Sequence, residues 1–125
     1  MEYRILGKSD LRVSVVAMGC WAIAGDWTWG AQDEEDAIES IHTALDDGIN
    51  FFDTAEGYGQ QGESESLLGK ALGARRDSAL IATKVSQSHL APEQLRTACE
   101  ASLKRLGTDR IDLYQVHWPS RSIPL

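Results

Sequence analysis

Four short runs of apolar residues recur along the chain, each separated from the next by a longer segment. Each run has the length of a strand and is rich in β-branched or aromatic residues, which favour extended backbone. The runs are VSVVAMG (13–19), INFFDTA (49–55), ALIATKV (79–85) and IDLYQVHW (111–118). Ahead of them, YRILGKSDLRVS (3–14) predicts a hairpin of two short strands around a turn at 7–10.

The longer segments carry apolar residues at the three- and four-residue spacing of an amphipathic helix. DEEDAIESIHTALDDG (33–48) has acidic residues in its first turn and a glycine at its end. PEQLRTACEASLKRLG (92–107) begins on a proline and stops at a glycine, as helices often do. ESESLLGKALG (63–73) predicts a shorter helix, weakened by about 1 kcal/mol because Gly69 stands in its interior.

Strands that alternate with helices are typical of parallel βαβ units, and two architectures contain them. A doubly wound sheet usually has a G-x-G-x-x-G turn after its first strand, which MGCWAIAGDWTWG (18–30) lacks. The pattern favours a (β/α)8 TIM barrel, which takes about 250 residues when complete. With 125 residues, the chain predicts one α/β domain over 1–125: the N-terminal half of a barrel, truncated after the fourth strand. It would contain an N-terminal hairpin, about four parallel strands, three helices and an open edge.

Charge and composition exclude several classes of partner. The chain has 12 basic and 19 acidic side chains, a formal net charge of -7. It has no cluster of lysine and arginine, so neither a nucleic acid nor an anionic membrane is an expected partner. No run approaches the roughly 18 apolar residues of a membrane helix, and the N-terminus is too charged for a signal peptide, so we expect a cytoplasmic protein. Cys20 and Cys99 lack metal-site spacing, and we expect two reduced thiols, with Cys99 in the core.

Ionisable side chains stand near the carboxyl ends of three consecutive predicted strands, where parallel barrels hold their active sites. Strand parity puts Asp53, Lys84 and His117 in register at three consecutive strand ends. Tyr58 follows Asp53 in a glycine-rich loop that can fold back over those ends. Each residue alone has an ordinary explanation, as a turn aspartate, a surface lysine, a core histidine and a loop tyrosine. Together they indicate acid–base chemistry, because an ammonium group beside a phenol stabilises the phenolate. We therefore expect Tyr58 to be a general acid.

The segments that carry these residues resemble the aldo-keto reductase family. GINFFDTAEGYG (48–59), LIATK (80–84) and SLKRLGTDRIDLYQVHWP (102–119) are similar to its motifs, in its order. The likeness is greatest to the bacterial stress-protein-like and potassium-channel β-subunit-like branches. It implies an oxidoreductase that uses NADP(H) to reduce an aldehyde or ketone to an alcohol. It also implies a catalytic tetrad, in which Tyr58 protonates the carbonyl oxygen, Lys84 held by Asp53 assists the tyrosine, and His117 orients the carbonyl.

The same resemblance implies contacts with the cofactor and the substrate. Residues near the ends of the first two parallel strands match positions that line the nicotinamide end of NADP(H): Gly19, Cys20, Trp21 and Asp53. Residues of the tryptophan-rich loop and the fourth strand's end would form the wall of the substrate site: Trp21, Trp27, Trp118 and His117. Cys20 stands where threonine is common, which removes one hydrogen bond to the cofactor. No metal site is implied.

Other interpretations stay open. The chain could be a nicotinamide-binding regulatory module without significant turnover, an inactive truncated chain, or a Schiff-base aldolase that uses Lys84. Family members bind the pyrophosphate and the adenosine 2′-phosphate through the second half of the barrel, so we expect this chain alone to be inactive. Four parallel strands would leave two edges and an inner face exposed. That exposure favours self-association, or a complementary half-barrel as partner.

Overall fold

The computed structural model describes residues 1–123 and contains two β-sheets. The first is an antiparallel hairpin of β1 (Tyr3–Ile5) and β2 (Arg12–Ser14). The second is a parallel sheet whose strands lie side by side in chain order: β3 (Met18–Gly19), β4 (Phe51–Asp53), β5 (Leu80–Val85) and β6 (Leu113–Val116). The predicted hairpin and the four parallel strands are therefore both present.

Three helices connect the parallel strands: α1 (Glu34–Asp46), α2 (Glu63–Leu72) and α3 (Pro92–Leu106). Asp33 caps α1, because its side chain accepts hydrogen bonds from the amides of Glu35 and Asp36. Gly107 ends α3 with a φ of 61°, a conformation that favours glycine. These boundaries are set by local residues, and each lies within two residues of its predicted position.

The hydrophobic core lies between the parallel sheet and the helices. Phe52 and Ile81, which are paired across β4 and β5, are fully buried in it. Side chains from all three helices pack in the same cluster: Ile41, Ala44, Leu68, Ala71, Leu72 and Leu106. Because side chains alternate between the faces of a strand, Asp53 and Lys84 lie on the opposite, inner face. The helices cover one face of the sheet and leave the inner face for the candidate site.

Strand pairing staggers the predicted site residues along that inner face. Asp53 pairs with Ala82, two residues before Lys84. Lys84 in turn pairs with Gln115, two residues before His117. The three residues lie on one face, but the prediction that they are in register is wrong, because each is displaced by two residues from the one on the neighbouring strand. A steady stagger of this kind accompanies the strand tilt of a barrel.

The prediction of one strand over 13–19 is wrong. Val13 and Ser14 belong to the hairpin, and only Met18 and Gly19 pair with β4. Asn50, just before β4, is the physical reason: its Oδ1 accepts from the amide of Ser14 at 2.7 Å, and its Nδ2 donates to the carbonyl of Arg12 at 2.9 Å. The apolar pattern of the run contains no sign of this distant side chain.

Cys99 is half-buried on α3, so its predicted place in the core is wrong as well. The side of α3 that packs inward is centred on Ala98, Ser102 and Leu106, which are buried. Cys20 and Cys99 are both free thiols. Within residues 1–123, no helix combines the length and the apolar character that crossing a membrane requires.

Candidate active site

Lys84 lies at the centre of the predicted catalytic residues, near the carboxyl end of β5. Its Nζ donates to Asp53 Oδ1 at 2.5 Å, to the Thr54 carbonyl at 2.8 Å and to the Tyr58 hydroxyl at 3.1 Å. An ammonium group has three protons, so these contacts use all of them. The lysine side chain is 15% exposed, which leaves water little access to the group.

Tyr58 reaches Lys84 from the loop between β4 and α2. Its oxygen accepts from the lysine, so the phenolic O–H is left to donate to another group. The ring is held from two sides: Trp21 stacks on it with centroids 5.7 Å apart, and His117 meets it edge-on at 5.4 Å. The structure therefore brings together Asp53, Tyr58, Lys84 and His117, as the sequence predicts.

His117 directly follows β6, and its amide donates to the Val85 carbonyl at 2.9 Å. Its ring stacks on Trp118, with centroids 5.9 Å apart. Burial lowers the pKa of His117 below the ordinary 6.5, and the positive charge of Lys84 lowers that pKa further, while Asp53 opposes the shift. The lowered pKa favours the neutral imidazole of His117.

A cavity of about 510 Å³ opens beside Tyr58 and His117. Its lining is largely aromatic and glycine-rich, and consists of Trp21, Asp26, Trp27, Gly57, Tyr58, Gly59, Gln60, His117 and Trp118. All four predicted substrate-contacting residues are in this set. None of the lining side chains is a lysine or an arginine. Trp27 is 95% exposed and lies at the rim.

Asp26 shapes the tryptophan-rich loop, a role that the sequence did not predict. Its Oδ2 accepts from Trp21 Nε1 at 2.9 Å, and its Oδ1 accepts from the amides of Thr28 and Trp29 at 2.7 and 3.0 Å. Trp29 packs edge-on against Trp21 at 5.7 Å. An aspartate that binds backbone two residues ahead forms an Asx turn. That turn is a local signal in the sequence, whereas the bond to Trp21 depends on the folded loop.

Three of the four residues predicted to contact a nicotinamide are accessible, and the fourth, Cys20, is not. Gly19, Trp21 and Asp53 are accessible: no atom lies within 4 Å of the position of an added Cβ on Gly19, the Asp53 side chain is 35% exposed, and Trp21 is 40% exposed. Trp21 stacks on Tyr58, so this open surface adjoins the phenol ring. The adjoining cavity has no lysine or arginine in its lining.

Cys20 is a correction to the predicted cofactor contacts. Since Gly19 faces the inner side of the sheet, the next side chain points into the core, where Cys20 is fully buried. Its amide donates to the Asp53 carbonyl, and its carbonyl accepts from the Ser64 hydroxyl. Burial raises the pKa of its thiol to about 12. Cys20 is therefore a core residue, and it has no exposed surface that a ligand could contact.

The remaining histidines take part in contacts away from the cavity. His42 Nε2 lies 2.8 Å from the Ala71 carbonyl, and His89 Nδ1 lies 2.9 Å from Glu56 Oε1. Among residues 1–123, no three histidine, cysteine or acidic side chains come close enough together to bind a metal ion.

Comparison with known proteins places the chain in a family. The model of the Aldo/keto reductase family matches residues 15–125. Aldo-keto reductase YhdN of Bacillus subtilis (strain 168) is 42% identical over 135 residues, an alignment that covers 100% of this chain and 40% of that protein. The chain spans about two-fifths of the length of the curated relatives it matches.

Solved structures show the same relationship in three dimensions. The thermostable aldo-keto reductase Tm1743 superposes with a TM-score of 0.87 at 38% identity, over 99% of this chain and 45% of that one. An aldo-keto reductase from Klebsiella pneumoniae, solved in complex with NADPH, gives a TM-score of 0.80 at 30% identity, over 90% of this chain and 38% of that one. The fold is thus the N-terminal portion of a TIM barrel, as predicted. The chain belongs to the aldo/keto reductase family.

Proposed function

We propose that this chain contributes the proton-donating part of an NADP(H)-dependent carbonyl reductase, with Tyr58 as the general acid. One observation carries the proposal: Lys84 Nζ lies between Asp53 Oδ1 and the Tyr58 hydroxyl, at 2.5 and 3.1 Å. A positive charge at that position stabilises the phenolate that remains when the tyrosine gives up its proton. The residues 1–125 would accordingly form a partial barrel domain of the reductase.

Each residue of the tetrad has a separate role in the proposed reaction. The substrate carbonyl lies in the aromatic cavity, and its oxygen accepts the hydrogen bond that Tyr58 has free. Tyr58 then transfers the proton to that oxygen as the alcohol forms. Lys84 stabilises the resulting phenolate, and Asp53 keeps the ammonium in place. NADPH, when bound, supplies the hydride that reduces the carbonyl carbon.

His117 has a positioning role for the substrate in this proposal. Because its imidazole is neutral, it can donate one hydrogen bond to the carbonyl oxygen without adding a second positive charge beside Lys84. Trp21, Trp27 and Trp118 supply apolar walls around the same cavity. The cavity therefore suits an uncharged aldehyde or ketone, with polar contacts limited to its carbonyl end.

NADP(H) is the proposed cofactor. The Klebsiella pneumoniae relative binds NADPH, and Gly19, Trp21 and Asp53 offer an accessible surface beside Tyr58 for the nicotinamide ring. The cavity has no lysine or arginine side chain for the phosphates. We therefore propose that this chain alone has no measurable reductase activity and that a complementary part of the barrel completes the cofactor site.

Without that complementary part, the chain would self-associate through its uncovered inner face. Light scattering at several protein concentrations can measure this self-association.

A Schiff-base aldolase is disfavoured by the same geometry. Such an enzyme needs an unprotonated lysine amine that can attack a carbonyl. The Lys84 ammonium is held by Asp53, the Thr54 carbonyl and Tyr58 together. No contact of the described residues favours the regulatory alternative over a reductase.

The proposal can be tested in a chimera, in which this chain replaces the matching N-terminal part of the Bacillus subtilis reductase. We expect the chimera, but not the 125-residue chain, to oxidise NADPH in the presence of 4-nitrobenzaldehyde. Lys84→Met should abolish that activity, because the phenolate loses its counter-charge. Lys70→Met is the matched control, since Lys70 is an exposed residue of α2 whose partner is Glu34. Full activity of the Lys84→Met chimera, or no activity of the parent chimera, would overturn the proposal.

A further inference from the structure

Ser64 connects three segments that carry residues of the candidate site, although its own side chain does not reach the cavity. It is the second residue of α2 and is fully buried. Its Oγ lies 2.6 Å from the Cys20 carbonyl and 2.8 Å from Thr54 Oγ1, and its amide lies 3.4 Å from the Tyr58 carbonyl. Ser64 thus contacts Cys20, which precedes Trp21, and Thr54, which follows Asp53. It also contacts Tyr58 itself.

The directions of these hydrogen bonds follow from the donors available. A carbonyl can only accept, so the Ser64 hydroxyl must give its single proton to Cys20. The Thr54 hydroxyl must then donate to Ser64, because the serine proton is already used. The result is a buried chain of two hydrogen bonds, from Thr54 through Ser64 to Cys20. All three residues are 0% exposed, so water does not offer a replacement partner.

The two ends of this hydrogen-bond series lie next to the two groups that contact Tyr58, which are the Trp21 indole and the Lys84 ammonium. The Cys20 carbonyl belongs to the peptide bond that leads into Trp21, whose indole stacks on the Tyr58 ring at 19° between planes. At the other end, Thr54 uses its own carbonyl to accept from Lys84 Nζ at 2.8 Å. A shift of either end would move a group that contacts the phenol.

We propose that Ser64 is a positioning residue of the reductase site, acting through Cys20 and Thr54 to keep Trp21 stacked on Tyr58. The role of Ser64 in a reductase site rests on the proposed function. Its effect on the stack of Trp21 on Tyr58 does not depend on that function. Removal of the Ser64 hydroxyl leaves the buried Cys20 carbonyl without its donor. The loop after β3 would then relax towards other donors, and the indole would leave the phenol ring.

The test is the pattern of nuclear Overhauser effects between Trp21 and Tyr58 in the isotopically labelled full chain. These effects report the ring stack directly and need neither cofactor nor turnover. We expect Ser64→Ala to abolish the Trp21–Tyr58 cross-peaks while amide signals of β5 and β6 stay in place. Ser66→Ala is the matched control, because Ser66 is an exposed serine of the same helix, and it should retain the cross-peaks.

A second pair of variants keeps the test decisive if Ser64→Ala does not fold. Thr54→Val keeps the shape of the side chain but removes the donor to Ser64, and we expect it to weaken the cross-peaks. Thr54→Ser keeps the hydroxyl and should retain them, which a general packing defect would not allow. Cross-peaks retained in Ser64→Ala, or absent in the unaltered chain, would overturn the proposal. Neither result bears on whether the chimera reduces aldehydes, so the two proposals fail separately.

Discussion

Lys84 has no spare proton on its ammonium group, because Asp53, the Thr54 carbonyl and Tyr58 each accept one. The side chain cannot turn towards a new partner without losing a present one. Its charge is therefore fixed in space, beside Tyr58 on one side and within electrostatic reach of His117 on the other. The protonation of His117 should report on that charge.

We predict that His117 titrates in the folded chain with a pKa below 6.5, measured from the imidazole proton signals across pH. Burial disfavours the charged ring, and the Lys84 charge adds to the effect. Lys84→Met should raise the His117 pKa, and Lys70→Met should leave it unchanged. A midpoint at or above 6.5 in the unaltered chain would contradict the prediction. Since the unfolded chain binds the proton more readily, the contribution of neutral His117 to stability is present above pH 6.5 and is lost as pH falls.

The shared face of Asp53, Lys84 and His117 could be predicted from the sequence, because the alternation of side chains along a strand is a local property of the chain. Tyr58 lies in a loop, and only the glycines around it indicated that it could fold back over the strand ends. Asp26 and Ser64 could not be predicted as site residues. Asp26 acts by accepting from the Trp21 indole, and Ser64 acts by donating to the Cys20 carbonyl. Both bonds depend on how loops fold against each other, and the motifs do not encode that geometry. Cys20 was predicted wrongly because its motif position did not reveal which face of the sheet its side chain occupies.

At the scale of elements, Gly69 sets how closely α2 and α3 approach. A Cβ built on Gly69 would lie 2.3 Å from the carbonyl oxygen of Leu106, a contact with backbone that cannot rotate away. From the sequence, Gly69 is expected to weaken α2 by about 1 kcal/mol relative to alanine. In the folded chain, the close approach of Leu106 means that alanine at this position would destabilise the protein instead of stabilising it.

We predict that Gly69→Ala lowers the free energy of unfolding by roughly 1–3 kcal/mol, because α2 must move away from α3 to make room. Urea unfolding followed by circular dichroism measures the change. Ser66→Ala, on the exposed side of the same helix, should change stability by less than about 0.5 kcal/mol. A Gly69→Ala chain more stable than its parent would show that helix propensity dominates over packing.

An ion pair with a buried carboxylate also connects the elements. Glu65 on α2 is fully buried, and it accepts from Arg105 Nε on α3 at 2.6 Å and from Thr83 Oγ1 on β5 at 2.5 Å. Because the carboxylate has no access to water, the arginine is its main source of opposite charge. This pair fixes both helices against the strand that carries Lys84.

We predict that Arg105→Met lowers the free energy of unfolding by about 3–5 kcal/mol, since it leaves a buried carboxylate without its counter-charge. The double variant Glu65→Gln with Arg105→Met should lose less stability than Arg105→Met alone. Arg75→Met is the control, because its pair with Asp46 is exposed and is worth less than about 1 kcal/mol. Equal losses in Arg105→Met and Arg75→Met would contradict this account. Urea unfolding measures all three.

On the scale of the whole molecule, the parallel sheet has the order and stagger of a barrel wall. The alternation of apolar runs and helical segments was enough to predict this architecture, because it reflects the burial of one sheet face by helices. The strand β3 is much shorter than the sequence predicts, since Asn50 holds the preceding residues in the hairpin. That bond joins positions 14 and 50, a separation beyond the reach of any local pattern.

The account depends most on Tyr58 as the proton donor beside Lys84, and single-turnover kinetics of the chimera test this directly. With NADPH bound and 4-nitrobenzaldehyde added, we predict that Tyr58→Phe slows hydride transfer by roughly 10²–10⁴-fold, the usual contribution of a general acid. NADPH affinity should be unchanged, because the phenol is assigned to the carbonyl oxygen. A Tyr58→Phe chimera that reduces the aldehyde at the parent rate would contradict the account.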